Sequence, residues 1–384
     1  MAAGRAVAVV GGGIIGCACA LELARRGCRV TLFERGAPGA EASSAAAGLL
    51  SPLGTSPDPD PFHRLAIESW RLYPAVVAEL RQLTGVDVEH MTTGTLYPLT
   101  GPREIEAARA RLAWPLAGEL GIALVEGSDL HALEPALAKD LTAALMVRGD
   151  HWINNQRLVT AYALGAAARG VTVCPGTEVS RLLVEDGRAR GVVTMDGETM
   201  RADAVLIAAG AWSGRLAASA GLQLPVGPVR GQMLAVSNVP SLLSHAIHGD
   251  DIYLVPRPSG ELLIGATVER VGFERAVTPE GLGTLIAQAL ALVPGIGGRP
   301  ITRSWFGFRP WASDGQPVLG PVAGVDGLFA ATGHYRNGIL LAPVTAAVMA
   351  RCIVDGDTPD SITPFLPARF HDTVKVETVA TAPR

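Results

Sequence analysis

The order of apolar and polar positions divides the chain into elements before any chemistry is considered. Ala6–Val10 is an unbroken apolar run, as in a parallel strand covered on both faces. Gly11-Gly12-Gly13 follows as a turn, and a helix is predicted from about Ile14 through Cys17–Arg26, stopped by Gly27. Arg29–Phe33 reads as a second strand ending at Glu34. Leu65, Trp70, Leu72, Val76, Leu80 and Leu83 recur at helical spacing and predict a long helix over Phe62–Leu83. A further helix spans Asn155–Ala168 and leads through Gly170 to a strand at Val171–Cys174. Glu178–Val184 and Arg190–Met195 pair across the turn Glu185-Asp186-Gly187-Arg188. Ala204–Ala209 is again a buried strand, closed by Gly210, with a helix opening at Trp212-Ser213. Short strands alternate from Val226 to Ile264, and helix Pro279–Leu292 leads to Ile301–Pro310. The last unit repeats the first: strand Leu328–Ala331, a turn at Gly333, and an apolar helix to about Ile353 with Arg336 at its mouth.

Strand, glycine turn and helix at both ends of the chain place both ends in one α/β layer. At 384 residues the chain exceeds one ordinary core, so two domains are expected. The fold class is α/β: a Rossmann-type dinucleotide domain with a parallel sheet and helices, plus a smaller α+β domain with a mostly antiparallel sheet. Both are discontinuous, with residues 1–85, 140–225 and 300–384 in the cofactor domain and residues 86–139 and 226–299 in the substrate domain.

Charge and cysteine content remove several function classes. A net charge of -4 offers no basic face to nucleic acid or to anionic lipid. The five cysteines have no metal-like spacing and read as reduced thiols of a cytoplasmic protein. Arg5 and the uncharged run Ala6–Leu21 imitate a short signal peptide, but glycines 11, 12, 13 and 16 interrupt its apolar core. The run is also too short and glycine-rich to span a bilayer. His245 and His248 flank a loop without ligand company, so no metal is expected.

Gly11-x-Gly13-x-x-Gly16 directly follows the first strand. Gly11 allows the tight turn, Gly13 lets the backbone approach a pyrophosphate, and Gly16 permits close helix–strand packing. Glu34 ends the second strand, where an acid accepts hydrogen bonds from ribose hydroxyls and repels a 2′-phosphate. This cradle does not separate NAD from FAD. The run Ala42-Ser43-Ser44-Ala45-Ala46-Ala47-Gly48-Leu49-Leu50 favours FAD, because small side chains let backbone amides and hydroxyls approach a broad planar ligand.

Six motifs, in order along the chain, carry a resemblance to a known family. They are Gly11-Gly12-Gly13-Ile14-Ile15-Gly16, Ser44-Ala45-Ala46-Ala47-Gly48, Tyr253-x-Val255-Pro256-Arg257, Leu263-Ile264-Gly265-Ala266-Thr267, Trp305-x-Gly307-x-Arg309-Pro310, and Gly333-His334-x-Arg336-Asn337-Gly338-Ile339-Leu340-Leu341-Ala342-Pro343. With them the chain resembles the glycine oxidase and D-amino-acid oxidase family of flavoproteins, most closely the glycine oxidases of thiamine biosynthesis. The resemblance implies non-covalent FAD. Its site would comprise Gly11, Gly13, Ile14, Ile15, Gly16, Glu34, Arg35, Ala42, Ser43, Ser44, Ala47, Gly48, Leu49, Val179, Ala209, Gly210 and the stretch Gly333, His334, Tyr335, Arg336, Asn337, Gly338, Ile339 and Leu340. The helix opening near Gly338 would point its positive end at the flavin.

On the substrate side the resemblance implies Tyr253, Arg309 and Arg336. Residue type alone leaves Arg309 open as a surface ion-pair residue and Tyr253 as a core aromatic; the motifs make them ligands. Arginine offers a carboxylate the planar two-donor partner that lysine does not. The implied reaction is oxidation of glycine, sarcosine, D-alanine or D-proline by hydride transfer to the flavin. It would give a 2-oxo acid, ammonia or an amine, and hydrogen peroxide, with no protein general base assigned and with imine supply to thiazole synthesis as one outlet. Substrate and oxygen are the expected partners, with a homo-oligomeric, commonly tetrameric, assembly. Leu49, Val268 and Asp251 depart from the family pattern, which has methionines at the first two positions and a histidine at the third. An acceptor other than oxygen, a NAD-dependent enzyme, and a flavin-binding protein without turnover are the rival readings.

Overall fold

The computed structural model of the chain describes residues 4–52 and 60–373. Residues 1–3 and 374–384, the outer edges of the expected cofactor domain, and residues 53–59 lie outside the described residues. Two large sheets organise the rest. The first has six strands in the order Val318–Pro321, Leu328–Thr332, Ala204–Ile207, Ala6–Val10, Arg29–Glu34, Thr172–Pro175. Only Val318–Pro321 runs antiparallel to its neighbour. The expected Rossmann-type parallel sheet is therefore present, with the first strand at its centre.

Helices Ile14–Arg25, Pro61–Thr84, Asn155–Ala168 and Gly338–Ala350 cover one face of this sheet and share its main core. The sequence explains how closely they approach. Along Ile14–Arg25 the buried positions include Gly16, Cys17, Ala18, Cys19 and Ala20, so neighbouring helices and strands meet almost backbone to backbone. Ser69 and Tyr73 of the long helix donate their hydroxyls to Leu340 O and Ile339 O, satisfying polar groups deep in the interior. Asp60 caps that helix at His63 N, with a proline in its first turn, and left-handed Gly85 ends it. The opposite face of the sheet is covered by a three-stranded sheet, Val179–Glu185, Arg188–Thr194 and Thr199–Arg201, and by the short helix Ser213–Ala218.

The second sheet has eight strands in the order Ile301–Ala312, Val226–Ser237, Glu261–Gly265, Tyr253–Pro256, Ala246–His248, Thr95–Leu99, Ala143–Val147, Ile122–Glu126. All neighbours are antiparallel except Ala246–His248 with Thr95–Leu99. Helix Pro279–Leu292, capped by Thr278, packs on one face. The other face meets the cofactor layer through Met233, Val255, Leu263, Ala47 and Trp152.

Two expectations need correction. Ile301–Ala312 and Ala143–Val147 belong to the eight-stranded sheet, not to the cofactor layer, because their partners are Val226–Ser237 and Thr95–Leu99. Val226–Ser237 is one long strand and not a series of short ones. Gly227, Pro228 and Gly231 break its sequence signal, while pairing along its length with Ile301–Ala312 holds it extended. The first helix begins at Ile14, inside the glycine motif, where the sequence pattern placed it. The last apolar segment, Gly338–Asp355, has the length and mean hydropathy (1.7) of a membrane span, but 72% of it is buried inside the protein, where it packs as a core helix.

The two layers are joined by a buried cation. Arg257, 8% exposed, donates to Ile153 O at 2.7 Å, Ala47 O at 2.8 Å and Asn155 Oδ1 at 3.1 Å. Burial pushes its pKa down to about 10, so it remains charged at neutral pH. Replacing Arg257 with leucine leaves these three acceptors unpaired. The expected loss is about 2–4 kcal/mol of stability, read from a lower denaturant midpoint.

Candidate functional site

Two clefts open at the junction of the layers and meet at Ala42, which lines both. The first, about 340 Å³, lies over the carboxyl ends of Ala6–Val10, Arg29–Glu34 and Ala204–Ile207. That is where open α/β sheets bind ligands. Its wall includes Gly11, Gly13, Glu34, Arg35, Ser43, Val179, Ala209 and Gly210. Gly11 has φ +111°, and a Cβ there would stand 2.4 Å from Ala208 O. A Cβ on Gly16 would stand 1.8 Å from Gly11 O. Both glycines are therefore required by the turn itself.

The helix that follows begins at Ile14, its N-cap Gly13 has no side chain to cap it, and Ser43 Oγ accepts from Ile14 N at 2.9 Å. Glu34 accepts from Gly12 N at 2.7 Å on one carboxylate oxygen and from Gly36 N at 2.9 Å on the other. The acid is thus fixed at the strand end with lone pairs to spare for hydroxyl donors. Arg35 lies 3.8 Å above the Trp212 ring, whose other contacts include a stacked Phe273 at 4.8 Å. Trp212 lines this cleft and was not singled out in the sequence, where it read only as a helix start.

The second cleft, about 270 Å³, brings together Ala47, Gly48, Leu49, Tyr253, Arg309, Tyr335, Arg336, Asn337 and Ile339. Tyr253 and Arg309 come from two strands of the eight-stranded sheet, and Arg336 from the turn before Gly338–Ala350. That last helix starts at Asn337 with no side-chain cap, so its free N–H groups open on this cleft. Tyr335 sits in the left-handed region at φ +49°, unusual for a bulky side chain, and is pinned by its N–H to Pro310 O at 2.8 Å.

Arg309 and Arg336 make no ion pair among the described residues. Burial pushes the Tyr253 phenol up, while the Arg309 cation and hydrogen bond pull the other way. The phenol therefore keeps its proton and can donate it. Burial and the Arg336 cation hold His248 below the usual imidazole range.

Several expected residues shape the site without lining either cleft. Ile15 and Leu340 belong to the core, 8% and 2% exposed. Ser44 offers its carbonyl to Gln156 Nε2 at 3.4 Å. Gly333 is a left-handed turn, φ +72°. His334 is 2% exposed, shares a hydrogen bond with Thr345 Oγ1 at 3.1 Å, and burial drives its pKa down to about 3. It is a neutral core group. Of the departures from the family pattern, Leu49 and Asp251 line the second cleft, whereas Val268 is 47% exposed on the surface.

Sequence reasoning missed Tyr97, His248, Gly231 and Met233, all in the wall of the second cleft. Nothing local in the sequence marks Tyr97, because pairing with distant strands decides which face it presents. Behind Tyr97 lies fully buried Asp150, which accepts the phenol hydrogen and whose pKa burial raises to about 7. His245 pairs with buried Glu134 at 2.7 Å, and no group of acids, histidines and cysteines able to hold a metal occurs among the described residues. The five cysteines are free.

Two helix mouths opening on joined clefts, with an acid at one end and unpaired cations at the other, suit an extended dinucleotide carrying a broad ring. Residues 6–352 match the model of the DAO family, FAD dependent oxidoreductase. The chain belongs to this family. The oxidoreductase is 38% identical over 374 residues to a protein named glycine oxidase from Geobacillus kaustophilus, spanning 97% of this chain and 98% of that one. The crystal structure of glycine oxidase from Geobacillus kaustophilus superposes with a TM-score of 0.87 at 37% identity, covering 95% of this chain and 99% of that one. A bifunctional protein ThiO/ThiG from Trichormus variabilis is 37% identical over 371 residues, 96% of this chain but 55% of that longer protein.

FAD is accordingly the cofactor, and the cradle around Gly11–Gly16, Glu34 and Ser43 fits its nucleotide end. Replacing Gly11 with alanine forces a Cβ into Ala208 O. The variant is expected to lose flavin affinity by at least roughly tenfold, seen as colourless purified protein and a raised dissociation constant for added FAD.

His334 carries a pH consequence. Its folded pKa lies below the unfolded value, so its neutral form supports the fold above about pH 6.5. As pH falls from there towards 3, the unfolded chain binds the extra proton and stability declines by up to about 1.4 kcal/mol per pH unit. Denaturant midpoints between pH 8 and pH 5 should fall less steeply in His334→Gln than in the parent enzyme.

Proposed function

We propose that this FAD-dependent oxidoreductase is an oxidase of glycine or another small amino acid. The single observation that carries the reading is the pair Arg309 and Arg336. Both line one cavity beside the flavin cradle, and neither makes an ion pair among the described residues. Cations left unpaired in a cleft select an anion, and the planar Arg309 guanidinium suits a carboxylate. Glycine oxidases similar over nearly the whole chain support the same reading.

In this reading the carboxylate binds Arg309 and the Tyr253 hydroxyl, which fixes the Cα–H towards the ring end of the cradle. Bound FAD supplies the two-electron acceptor, and oxygen restores it with release of hydrogen peroxide. Arg336 and the uncapped start of Gly338–Ala350 provide positive potential at that end, where negative charge develops. His248, held neutral, adds no competing cation beside the amine. The imine product leaves for hydrolysis or, as the resemblance implies, for thiamine biosynthesis. A cytoplasmic homo-oligomer belongs to the same proposal.

Anaerobic titration of the purified protein with glycine, sarcosine, D-alanine and D-proline is expected to bleach the oxidised flavin band with at least one of them. Readmitted air should restore the band with one equivalent of peroxide. A yellow protein that none of them bleaches is a flavin-binding protein without this activity, and bleaching without peroxide on readmission is a dehydrogenase. Arg309→Ala should raise KM by roughly 10–100-fold, as expected for removal of a charged hydrogen-bond partner.

A further inference from the structure

The Arg309 guanidinium is held from behind by a partly buried network of Thr267, Glu269, Arg230 and Gln232, none of which lines the cavity. Its Nη1 donates to Thr267 O at 2.8 Å, and the group lies flat over Gly231, where an added Cβ would stand 2.4 Å from both terminal nitrogens. Thr267 is itself tied down twice. Its hydroxyl accepts from Gln232 N at 2.8 Å and donates to Glu269 Oε1 at 2.6 Å. The same carboxylate oxygen accepts from Gln232 Nε2 at 2.7 Å, and Oε2 accepts from Arg230 Nε at 2.5 Å.

Arg230 is 4% exposed and Gln232 is fully buried. Arg230 and Glu269 also exchange backbone hydrogen bonds, both at 2.9 Å. Gln232 is anchored in turn by Thr278, whose N–H donates to its Oε1 at 2.7 Å. Burial pushes the Glu269 carboxyl up, but its bonds to Thr267, Arg230 and Gln232 outweigh that and hold it below the usual range. The acceptor for Arg309 thus sits on a chain segment fixed by a charged, fully bonded frame on Val226–Ser237. Arg309 occupies the next strand, opposite Val229.

We propose that Thr267 and Glu269 are positioning residues for Arg309: they fix the carbonyl that orients its guanidinium, and so set affinity for the substrate carboxylate without contacting it. The inference rests on Arg309 being the carboxylate partner. A guanidinium free to rotate must be ordered by the substrate at each binding event, which weakens binding more than it slows a step remote from the carboxylate.

The test uses holoenzyme and reads KM and kcat for glycine, or for whichever amino acid bleaches the flavin, together with the inhibition constant of acetate, a carboxylate with nothing to oxidise. Thr267→Val keeps the volume and removes both hydroxyl bonds. It should raise KM and the acetate constant together by roughly 5–20-fold, with kcat within about twofold and the flavin spectrum unchanged. Thr267→Ser restores the hydroxyl and should return both constants to within about twofold of the parent. Glu269→Gln sets an amide against Arg230 and should shift the constants in the same direction, which keeps the test open if Thr267→Val does not fold. Thr267→Val added to Arg309→Ala should cost nothing further, because the group being positioned is gone.

The inference is overturned if Arg309→Ala weakens both constants while Thr267→Val and Glu269→Gln leave them unchanged. It is also overturned if the Thr267 and Arg309 effects simply add. If Arg309→Ala itself leaves both constants unchanged, the carboxylate reading falls and this inference falls with it.

Discussion

The site depends on Arg257, a buried cation bonded to backbone on the far side of a layer boundary. It sits on the eight-stranded sheet and binds Ala47 O and Ile153 O of the cofactor layer. Its third acceptor, Asn155 Oδ1, belongs to a residue whose Nδ2 donates to Ser43 O at 2.6 Å. Ser43 Oγ in turn accepts from Ile14 N at the mouth of the first helix. One hydrogen-bonded line therefore runs from the sheet that carries Tyr253 and Arg309 to the glycine turn at the mouth of the first helix. Carbonyl acceptors suit a desolvated guanidinium here, because each bond is charge-assisted and leaves no second buried charge to solvate.

Close approach between the layers rests on missing side chains. A Cβ on Gly307 would stand 2.5 Å from Ala45 Cβ, and one on Gly48 would stand 2.0 Å from Ile153 O. The small-residue run after the second strand is consequently a contact surface as well as a ligand wall. The strand Ile301–Ala312 can lie against Ala42–Ala45 only because glycine and alanine meet there, and this carries Arg309 to the edge of the cofactor cleft. Trp305 Nε1 closes the contact by donating to Ala45 O at 3.1 Å.

The electrostatics of the two clefts are arranged by contrast. The first is bounded by Glu34 and amide groups, which suits hydroxyls and phosphate. The second is bounded by Arg309, Arg336 and an uncapped helix start. Three other polar groups at or behind the second cleft are shifted towards their neutral forms. His334 is neutral by burial, His248 is held low by burial and Arg336, and Asp150 is buried behind Tyr97 with a raised pKa. Asp250 and Asp251, both exposed, also line the second cleft, so carboxylates stand in its wall beside the two arginines.

The glycine motif, the strand before it and Glu34 were legible in the sequence because local backbone geometry dictates them. A turn at φ +111° needs glycine wherever it occurs. Helix bounds such as Asn155–Ala168 and Pro279–Leu292 were likewise local, set by capping side chains and apolar period. The closing strand, turn and helix around Arg336 were legible from the pattern, but the part they take in the site came only through resemblance. Sheet membership was legible only for the strands of the parallel sheet. Ile301–Ala312 and Ala143–Val147 carry no local mark of which layer they join, since strand pairing is decided by partners far away in the chain. For the same reason Tyr97, His248 and the frame behind Arg309 were invisible: each acquires its role from the face of a sheet it is turned towards. Local sequence pattern pointed to a bound dinucleotide and to the glycine turn after the first strand. Only the tertiary structure decided what stands around Arg309 and Arg336, because long-range pairing and burial, not local propensity, choose their neighbours.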